Sequence, residues 1–298
     1  MRILLVGATG VIGRRLIPVL IKSGHEVIGT TRTAEKRQRL ERPGASSVVV
    51  DVFDREKVFT LVRETHPDVI IHQFTDLSEM HLSTDSRILQ EGTRNLVDAA
   101  KQAGVHRLIA QSMAWAYAPG EGPADESVPL DIEAPEPRLT TIKGIQALEA
   151  AVAEMEWGVV LRYGLLYGPG TWFAPDGTIA EHVRQGQRVA DQGVTSFLHV
   201  DDATHAALLA LNWPQGIFNI VDDKPASATI WLPVYAATLG APVPAMSMER
   251  PRAARGATNS RARHLLNWQP IYSSWREGFA CVAREWRARH EEERPVML

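Results

Sequence analysis

Cysteine is nearly absent from this sequence, because Cys281 is the only one in 298 residues. A single thiol excludes an internal disulfide and is typical of proteins in a reducing compartment, so we expect a cytoplasmic location. Long apolar runs are absent too, since no stretch approaches the roughly 20 residues that span a bilayer. The apolar run that ends at Val6 is too short for the core of a secretory signal. The sequence therefore predicts neither a membrane protein nor a secreted one.

An excess of charge of either sign is also lacking. The chain has 32 Lys and Arg against 35 Asp and Glu, a net charge of −3, and contains no long basic run. Nucleic acids and anionic membranes attract proteins through clustered positive charge, so neither is an expected partner. The histidines show no metal-ligand spacing with one another or with carboxylates, and we predict no metal site.

A glycine-rich turn is the most informative feature that the sequence does contain. A strand-like apolar run over residues 2–6 leads directly into Gly7-Ala-Thr-Gly10-Val-Ile-Gly13, and a helix-like stretch follows. Glycines at this spacing permit a tight turn, let a pyrophosphate approach the backbone, and let the helix pack closely on the strand. The helix N-terminus then offers N–H groups and a positive dipole end to the anion. The turn therefore predicts a dinucleotide site.

Strand-like and helix-like patterns alternate through the first half of the chain, which is typical of a parallel sheet covered by helices. We therefore predict an α/β fold with a doubly wound parallel sheet, a Rossmann domain over residues 1–163. Past that point Pro and Gly become frequent, so residues 164–298 are expected to form a smaller C-terminal substrate-binding lobe. The segment 195–213 is expected to return to the first domain.

Further landmarks follow the glycine turn in order. They are Asp51-Val52, Asp68-Val-Ile-Ile-His72, Gly92-Thr-Arg-Asn-Leu96, Leu161-Arg-Tyr-Gly-Leu-Leu-Tyr-Gly-Pro-Gly170, Phe197-Leu-His-Val-Asp-Asp202 and Leu266-Asn-Trp-Gln-Pro270. Together they resemble the extended short-chain dehydrogenase/reductase family, of the NAD(P)-dependent epimerase/dehydratase type, over nearly the whole chain. The resemblance implies a nicotinamide coenzyme, a small-molecule substrate and oxidoreductase chemistry. It also implies a homodimer formed through the helices at 86–103 and 141–156.

The catalytic residues that the resemblance implies are only partly present. In the family, a Ser or Thr after the fifth strand orients the substrate, and a Tyr four residues before a Lys transfers the proton. Lys143 stands at the position of that Lys, but the residue four places earlier is Leu139, which cannot transfer a proton. Met113 falls at the Ser/Thr position, with Ser112 one residue before it. The candidate catalytic residues are Lys143, Ser112 and Tyr117, and other candidate acids are Tyr163, Tyr167 and His81.

The sequence favours NADP(H) over NAD(H). NAD-preferring members end the second strand with an acidic residue, whereas here that strand runs into Thr31-Arg32. Arg14 follows the third glycine, and guanidinium groups suit a 2′-phosphate, although both arginines are also consistent with solvated surface residues. The resemblance implies that Asp51 accepts from the adenine amino group. The alternative, that Asp51 caps the following helix, is weaker because Asp54 is better placed to do so. The predicted coenzyme-binding residues are Gly7, Thr9, Gly10, Val11, Ile12, Gly13, Arg14, Arg32, Asp51, Val52, Gln73, Phe74, Thr75, Lys143 and Tyr163.

The predicted substrate pocket is apolar. Family members that bind nucleotide sugars carry an Asn before the Tyr-Gly-Pro motif, and Leu165 stands there instead. A Leu beside a diphosphate would leave charged oxygens unpaired, which argues against a sugar nucleotide. A flat or hydrophobic molecule suits this composition, although core packing would also explain the aromatic residues. The residues expected to line the pocket are Met113, Trp115, Leu139, Leu165, Trp172 and Phe173.

Three functions remain open from the sequence. The first is an NADP-dependent oxidoreductase or epimerase that acts on a hydrophobic small molecule through a non-standard proton donor or a bound water. The second is a coenzyme-binding sensor without turnover, and the third is a coenzyme-assisted lyase or isomerase. We favour the first because Lys143 and the second lobe are both retained, and a pure sensor needs neither.

Overall fold

The computed structural model describes residues 1–73 and 86–292. It divides the chain into two compact units. The first combines Met1–Ala118, Val128–Arg162 and Ala203–Phe218, and the second combines Pro119–Ser127, Tyr163–Asp202 and Asn219–Leu298. This division differs from the expected one in three places. Residues 119–127 group with the second unit, and so does Tyr163. The segment that returns to the first unit spans 203–218 rather than 195–213.

The strands of the described chain are short to medium in length. They are β1 Arg2–Val6, β2 Glu26–Thr31, β3 Ser46–Val49, β4 Val69–His72, β5 Arg107–Met113, β6 Trp157–Tyr163, β7 Leu165–Tyr167, β8 Val189–Ala190, β9 Val194–Thr195, β10 Phe197–His199, β11 Gly216–Ile220, β12 Ala226–Ser227 and β13 Ala245–Met246.

Helices connect most of these strands. They are α1 Gly13–Lys22, α2 Arg37–Glu41, α3 Arg55–Thr65, α4 Thr93–Ala103, α5 Arg138–Ala153, α6 Thr178–Arg184, α7 Val200–Leu209, α8 Ala228–Thr238, α9 Ser260–Leu266 and α10 Trp275–Glu292. A π-helical turn, Ile88–Gly92, leads directly into α4. None of the helices in the described parts of the chain is long and apolar enough to cross a membrane.

The first unit is built on a seven-stranded sheet with the order β11-β6-β5-β4-β1-β2-β3. In this sheet β1 pairs in parallel with both neighbours, Leu4 lying beside Ile28 of β2 and Ile70 of β4. The β2–β3 and β4–β5 pairs are parallel as well. The strand order reverses between β1 and β4, which is where open α/β sheets bind ligands, at the carboxyl ends of the strands. The predicted doubly wound α/β fold is confirmed.

The helices α3, α4 and α5 pack on one face of this sheet. Buried strands place alternate apolar side chains on each face, and on this face Leu4 and Ile70 share a core with Leu96 and Leu148. Local signals set the helix ends. Asp54 caps α3, accepting from the Lys57 N–H at 3.2 Å. α3 is terminated by His66 and α4 by Gly104, both of which have a left-handed backbone conformation.

The second unit has short strands and an aromatic core. β7 pairs in parallel with β10, β8 pairs in parallel with β13, and β9 pairs antiparallel to β12. Phe197 lies at the centre of the core, its ring centroid 5.4 Å from that of Phe173 and 5.1 Å from that of Trp231. Both contacts are edge-to-face, the arrangement that aromatic quadrupoles favour. These large side chains compensate for the small amount of regular sheet in this unit.

Candidate functional site

The glycine turn lies at the carboxyl end of β1, where the strand order reverses. Gly7 has a φ of 81°, and its carbonyl accepts from the Gly10 N–H at 3.0 Å. A Cβ on Gly13 would overlap the Gly7 carbonyl and lie 2.7 Å from the Cα of Ala8. Helix α1 begins here with neither a side-chain cap nor an acidic first-turn residue among the described residues. Backbone contacts thus shape the turn, with one side-chain bond from the Arg15 guanidinium to the Val11 carbonyl at 2.9 Å. Its helix end suits an anion such as a pyrophosphate.

Charged residues follow the ends of the neighbouring strands. Arg14 lies in the first turn of α1 and Arg32 directly after β2, and both are exposed. Asp51, just after β3, is exposed, and its Oδ1 accepts from the Phe53 N–H at 3.0 Å. Val52 is buried. Because β1, β2 and β3 are parallel, these residues share one edge of the sheet.

β4 ends at His72, and Gln73 follows it beside the glycine turn. The Gln73 N–H donates to the Val6 carbonyl at 2.9 Å. The Nε2 of His72 lies 2.9 Å from Thr93 Oγ1, and burial lowers the pKa of His72 to about 4. His72 is therefore a neutral, structural residue. The Gln73 side chain is 5% exposed, yet neither its Nε2 nor its Oε1 has a hydrogen-bond partner among the described residues. An unpaired buried amide beside the glycine turn fits a bound dinucleotide.

Three residues predicted from the sequence lie outside the described residues. They are Phe74 and Thr75, predicted to bind the coenzyme, and His81, a candidate acid.

Ser112 belongs to a buried ion-pair network between β5, β6 and α5. Its hydroxyl donates to Glu149 Oε1 at 2.7 Å. Arg162 donates to both oxygens of Glu149, at 2.8 and 2.6 Å, and its guanidinium lies 4.8 Å from the centroid of the Tyr117 ring. Burial lowers the pKa of Arg162, but hydrogen bonds and the charge of Glu149 more than offset this and raise it overall. Ser112 and Tyr117, both predicted as catalytic candidates, thus contact interior partners.

Leu139 and Lys143 lie one turn apart on α5, so they project from the same side of the helix. Lys143 is exposed and Leu139 is half-buried. Arg138, beside them, donates to Asp131 Oδ2 at 2.9 Å and to the Trp115 carbonyl at 2.9 Å. These bonds fix the first turn of α5 to the segment that follows β5, and they hold position 139 in place.

The residues expected to line the substrate pocket are divided between the two units. The first unit holds Met113, Trp115 and Leu139, and the second holds Leu165, Trp172 and Phe173. Tyr163, predicted to bind the coenzyme, also belongs to the second unit. Phe173 is part of the aromatic core of the second unit, and Leu165 and Trp172 pack against that core. Within residues 1–73 and 86–292, no group of three or more His, Cys, Asp or Glu side chains is placed to hold a metal ion.

The ion pair between Glu149 and Arg162 was not predicted, although the sequence contains a signal for it. Arg162 follows Val159-Val160-Leu161 and is the one charged residue of β6, and Glu149 follows the buried Leu148 on α5. A charge inside a buried pattern requires a partner, since an unpaired charge in the interior is costly. Two such interruptions of opposite sign predict a buried pair.

Residues 3–220 match the model of the NAD dependent epimerase/dehydratase family. The chain is 43% identical to a 3-diazoavenalumate denitrifying reductase from a Streptomyces species, over 93% of this chain and 99% of that protein. Among solved structures, UDP-glucose 4-epimerase of Thermotoga maritima with UDP-glucose is 22% identical, with a TM-score of 0.77, and the match covers 97% of this chain and 100% of that one. The Bordetella bronchiseptica enzyme WbmG in complex with NAD is 25% identical, with a TM-score of 0.78, over 97% and 94% of the two chains.

The chain therefore belongs to the NAD-dependent epimerase/dehydratase family, as its motifs predict. Within that family, its similarity to the Streptomyces reductase extends over almost the full length of both proteins.

Proposed function

We propose that this protein is an NAD(P)H-dependent reductase that replaces the diazo group of a small, largely apolar carboxylate with hydrogen. The observation that carries the proposal is Leu139, held on the first turn of α5, one turn before Lys143. A family member that reduces a carbonyl uses a proton donor at that position, and this chain has a hydrocarbon there. The reductase from Streptomyces, similar over nearly its whole length, supplies the substrate class.

Reductive loss of dinitrogen from a diazonium ion, the protonated form of the diazo compound, requires a hydride but no further proton. In the diazonium form, R–N2+ accepts a hydride at carbon, the carbon–nitrogen bond breaks with its electron pair leaving on nitrogen, and the products are R–H and neutral dinitrogen. A reduced nicotinamide coenzyme supplies that hydride when bound. Reduction of a carbonyl instead creates an alkoxide, which a positioned acid must protonate. An apolar side chain at position 139 suits the first reaction and not the second.

The residues of the first unit supply binding and orientation in this proposal. The turn over residues 7–13 holds the pyrophosphate, and Lys143 holds the nicotinamide ribose. Arg14 and Arg32 favour a 2′-phosphate and therefore NADP(H). We assign Ser112 and Tyr117 to the interior ion-pair network, where they position β5 and β6, rather than to proton transfer.

The direct test uses the full-length protein with a stable arenediazonium carboxylate and reduced coenzyme deuterated at C4. We expect coenzyme oxidation and dinitrogen release at equal rates, with one deuterium on the carbon that carried nitrogen. Coenzyme oxidation without dinitrogen would refute the proposal. So would deuterium that enters this carbon from D2O when the coenzyme is unlabelled.

A pair of variants at position 139 tests whether the reaction needs a proton. Leu139→Tyr introduces a phenol, and Leu139→Phe introduces the same ring without it. Because no proton is transferred, both variants should reduce the diazonium substrate at rates within about threefold of each other, well below the 10²–10⁴-fold typical of acid catalysis. A Tyr variant faster than the Phe variant by about 100-fold would show that an acid is needed.

Coenzyme preference and assembly have separate tests. Arg14→Ala and Arg32→Ala should weaken NADPH binding and leave NADH binding nearly unchanged, which a nicotinamide fluorescence titration measures. Equal loss for both coenzymes would contradict a 2′-phosphate contact. A homodimer, expected through α4 and α5, is tested by light scattering of the purified protein.

A further inference from the structure

The Gln73 side chain is a buried polar group without a hydrogen-bond partner in the described parts of the chain. It is 5% exposed, and both its amide nitrogen and its amide oxygen are unpaired there. Native proteins satisfy nearly all such groups, since leaving one unpaired costs its full desolvation penalty. A carboxamide with both ends unpaired therefore indicates a ligand with both a donor and an acceptor.

The position of Gln73 relative to the glycine turn follows from strand register. His72 lies beside Val6 of β1, and the Gln73 N–H continues this ladder by donating to the Val6 carbonyl. Gln73 is therefore level with Gly7, the first residue of the turn. Since His72 bonds to Thr93 on α4, alternation along the strand directs Gln73 to the opposite face of the sheet.

A buried glutamine on the neighbouring strand β5 does have an interaction partner. His72 lies beside Ala110 of β5, so Gln111 is level with Gln73 and on the same face. Gln111 is also 5% exposed, but it does have an interaction partner. Of these two glutamines, only the one beside the glycine turn is unpaired within the described parts of the chain.

The direction of a bound dinucleotide identifies the group that reaches Gln73. A pyrophosphate on the glycine turn of β1 places the adenosine half towards β2 and β3, so the nicotinamide half extends towards β4. The first group on that side is a ribose, whose two hydroxyls each donate and accept. Pyrophosphate oxygens only accept, so they would leave the Oε1 of Gln73 unpaired.

We propose that the Gln73 carboxamide binds the ribose diol on the nicotinamide side of the coenzyme. This inference rests on the proposed coenzyme binding, but not on the diazo substrate. The buried Gln73 amide then destabilises the free protein, where it lacks a partner in the described chain, and stabilises the complex, where the ribose hydroxyls pair with it. Its removal should therefore change the stability of the free protein and its affinity for the coenzyme in opposite ways.

The variant Gln73→Met tests this because Met has nearly the same length and volume but no strong hydrogen-bonding group. The thermal unfolding midpoint of the free protein should rise by about 2 °C, while NADPH binding measured by calorimetry should weaken about tenfold. Gln111→Met is the matched control, since it removes a partnered glutamine from the next strand and should lower the midpoint. A Gln73→Met variant with a lower midpoint and unchanged affinity would overturn the proposal.

Truncated ligands locate the contact. The series is NADPH, then 2′-phospho-ADP-ribose, which keeps the second ribose, and then 2′-phospho-ADP, which ends at the pyrophosphate. Gln73→Met should weaken the first two about tenfold and leave the third within twofold. A loss confined to NADPH, or an equal loss for all three, would overturn the ribose assignment.

Two further outcomes keep this inference separate from the proposed function. If the wild-type protein binds none of the three ligands, the proposed coenzyme site itself has failed. If binding follows the expected pattern but no dinitrogen is released, only the proposed reaction has failed. Should Gln73→Met not fold, Gln73→Asn, which retracts the amide by one methylene, should still weaken the two ribose-containing ligands selectively.

Discussion

Removing Glu149 from its ion pair with Arg162 is expected to destabilise this protein strongly. The Arg162 side chain is 4% exposed and that of Glu149 is 8% exposed, so Glu149→Leu leaves a guanidinium in the interior without a carboxylate. Breaking a buried pair in this way costs about 3–5 kcal/mol. The Ser112 hydroxyl also loses its acceptor, which adds about 1 kcal/mol. We expect the free energy of unfolding to fall by at least about 4 kcal/mol, a large part of a typical total.

Urea unfolding followed by tryptophan fluorescence measures this change, and the chain offers a matched control. Glu154, directly after α5, also pairs with two cations, Arg94 at 2.6 Å and Lys101 at 3.0 Å. Its side chain is 43% exposed, so water screens both pairs. Glu154→Leu should therefore cost only about 0–1 kcal/mol.

A double variant separates the buried charge from simple loss of packing. Glu149→Leu combined with Arg162→Met removes both charges, so its cost should be smaller than the sum of the two single costs by about 2 kcal/mol or more. Strict additivity, or a single-variant cost as small as that of Glu154→Leu, would refute the view that the pair is dehydrated and mutually dependent.

Single positions elsewhere provide further tests. Gly13→Ala places a methyl group against the Gly7 carbonyl, so NADPH binding in a fluorescence titration should be lost, and binding within twofold of wild type would contradict this. Gly278→Ala places a methyl group 2.5 Å from the Cζ of buried Tyr167, which should cost about 1–3 kcal/mol in urea unfolding and be partly recovered with Tyr167→Phe. Burial raises the pKa of Asp222 to about 7, well above the roughly 4 of a solvated Asp carboxyl. Between these values the folded state keeps a proton that the unfolded state releases, so stability should fall as pH rises from about 4 to 7. Asp222→Asn should flatten this dependence in urea midpoints, and an unchanged slope would contradict it.

The fold could be predicted from the sequence because its signals are local. The glycine turn after β1 and the alternation of strands and helices require only neighbouring residues, and together they specify a doubly wound sheet. The cap at Asp54 is likewise a local interaction, between residues three apart. Family membership followed from the same landmarks, since their order along the chain is itself sequence information.

The roles of polar side chains at the edge of the sheet depended on tertiary contacts. Ser112 was a catalytic candidate because it lies one residue before the position of the family's Ser or Thr, but its hydroxyl bonds to Glu149, 37 positions away on α5. No local pattern specifies which face of a strand will meet a charge on a distant helix. Gln73 shows the converse, a side chain that the fold buries without a partner in the described chain. The sequence by itself determined the dinucleotide turn and the architecture around it, through local backbone requirements and periodicity. Only the tertiary structure decided which polar groups of the described chain are paired in the interior and which are buried without a partner, because burial and pairing depend on strands and helices far apart in the chain.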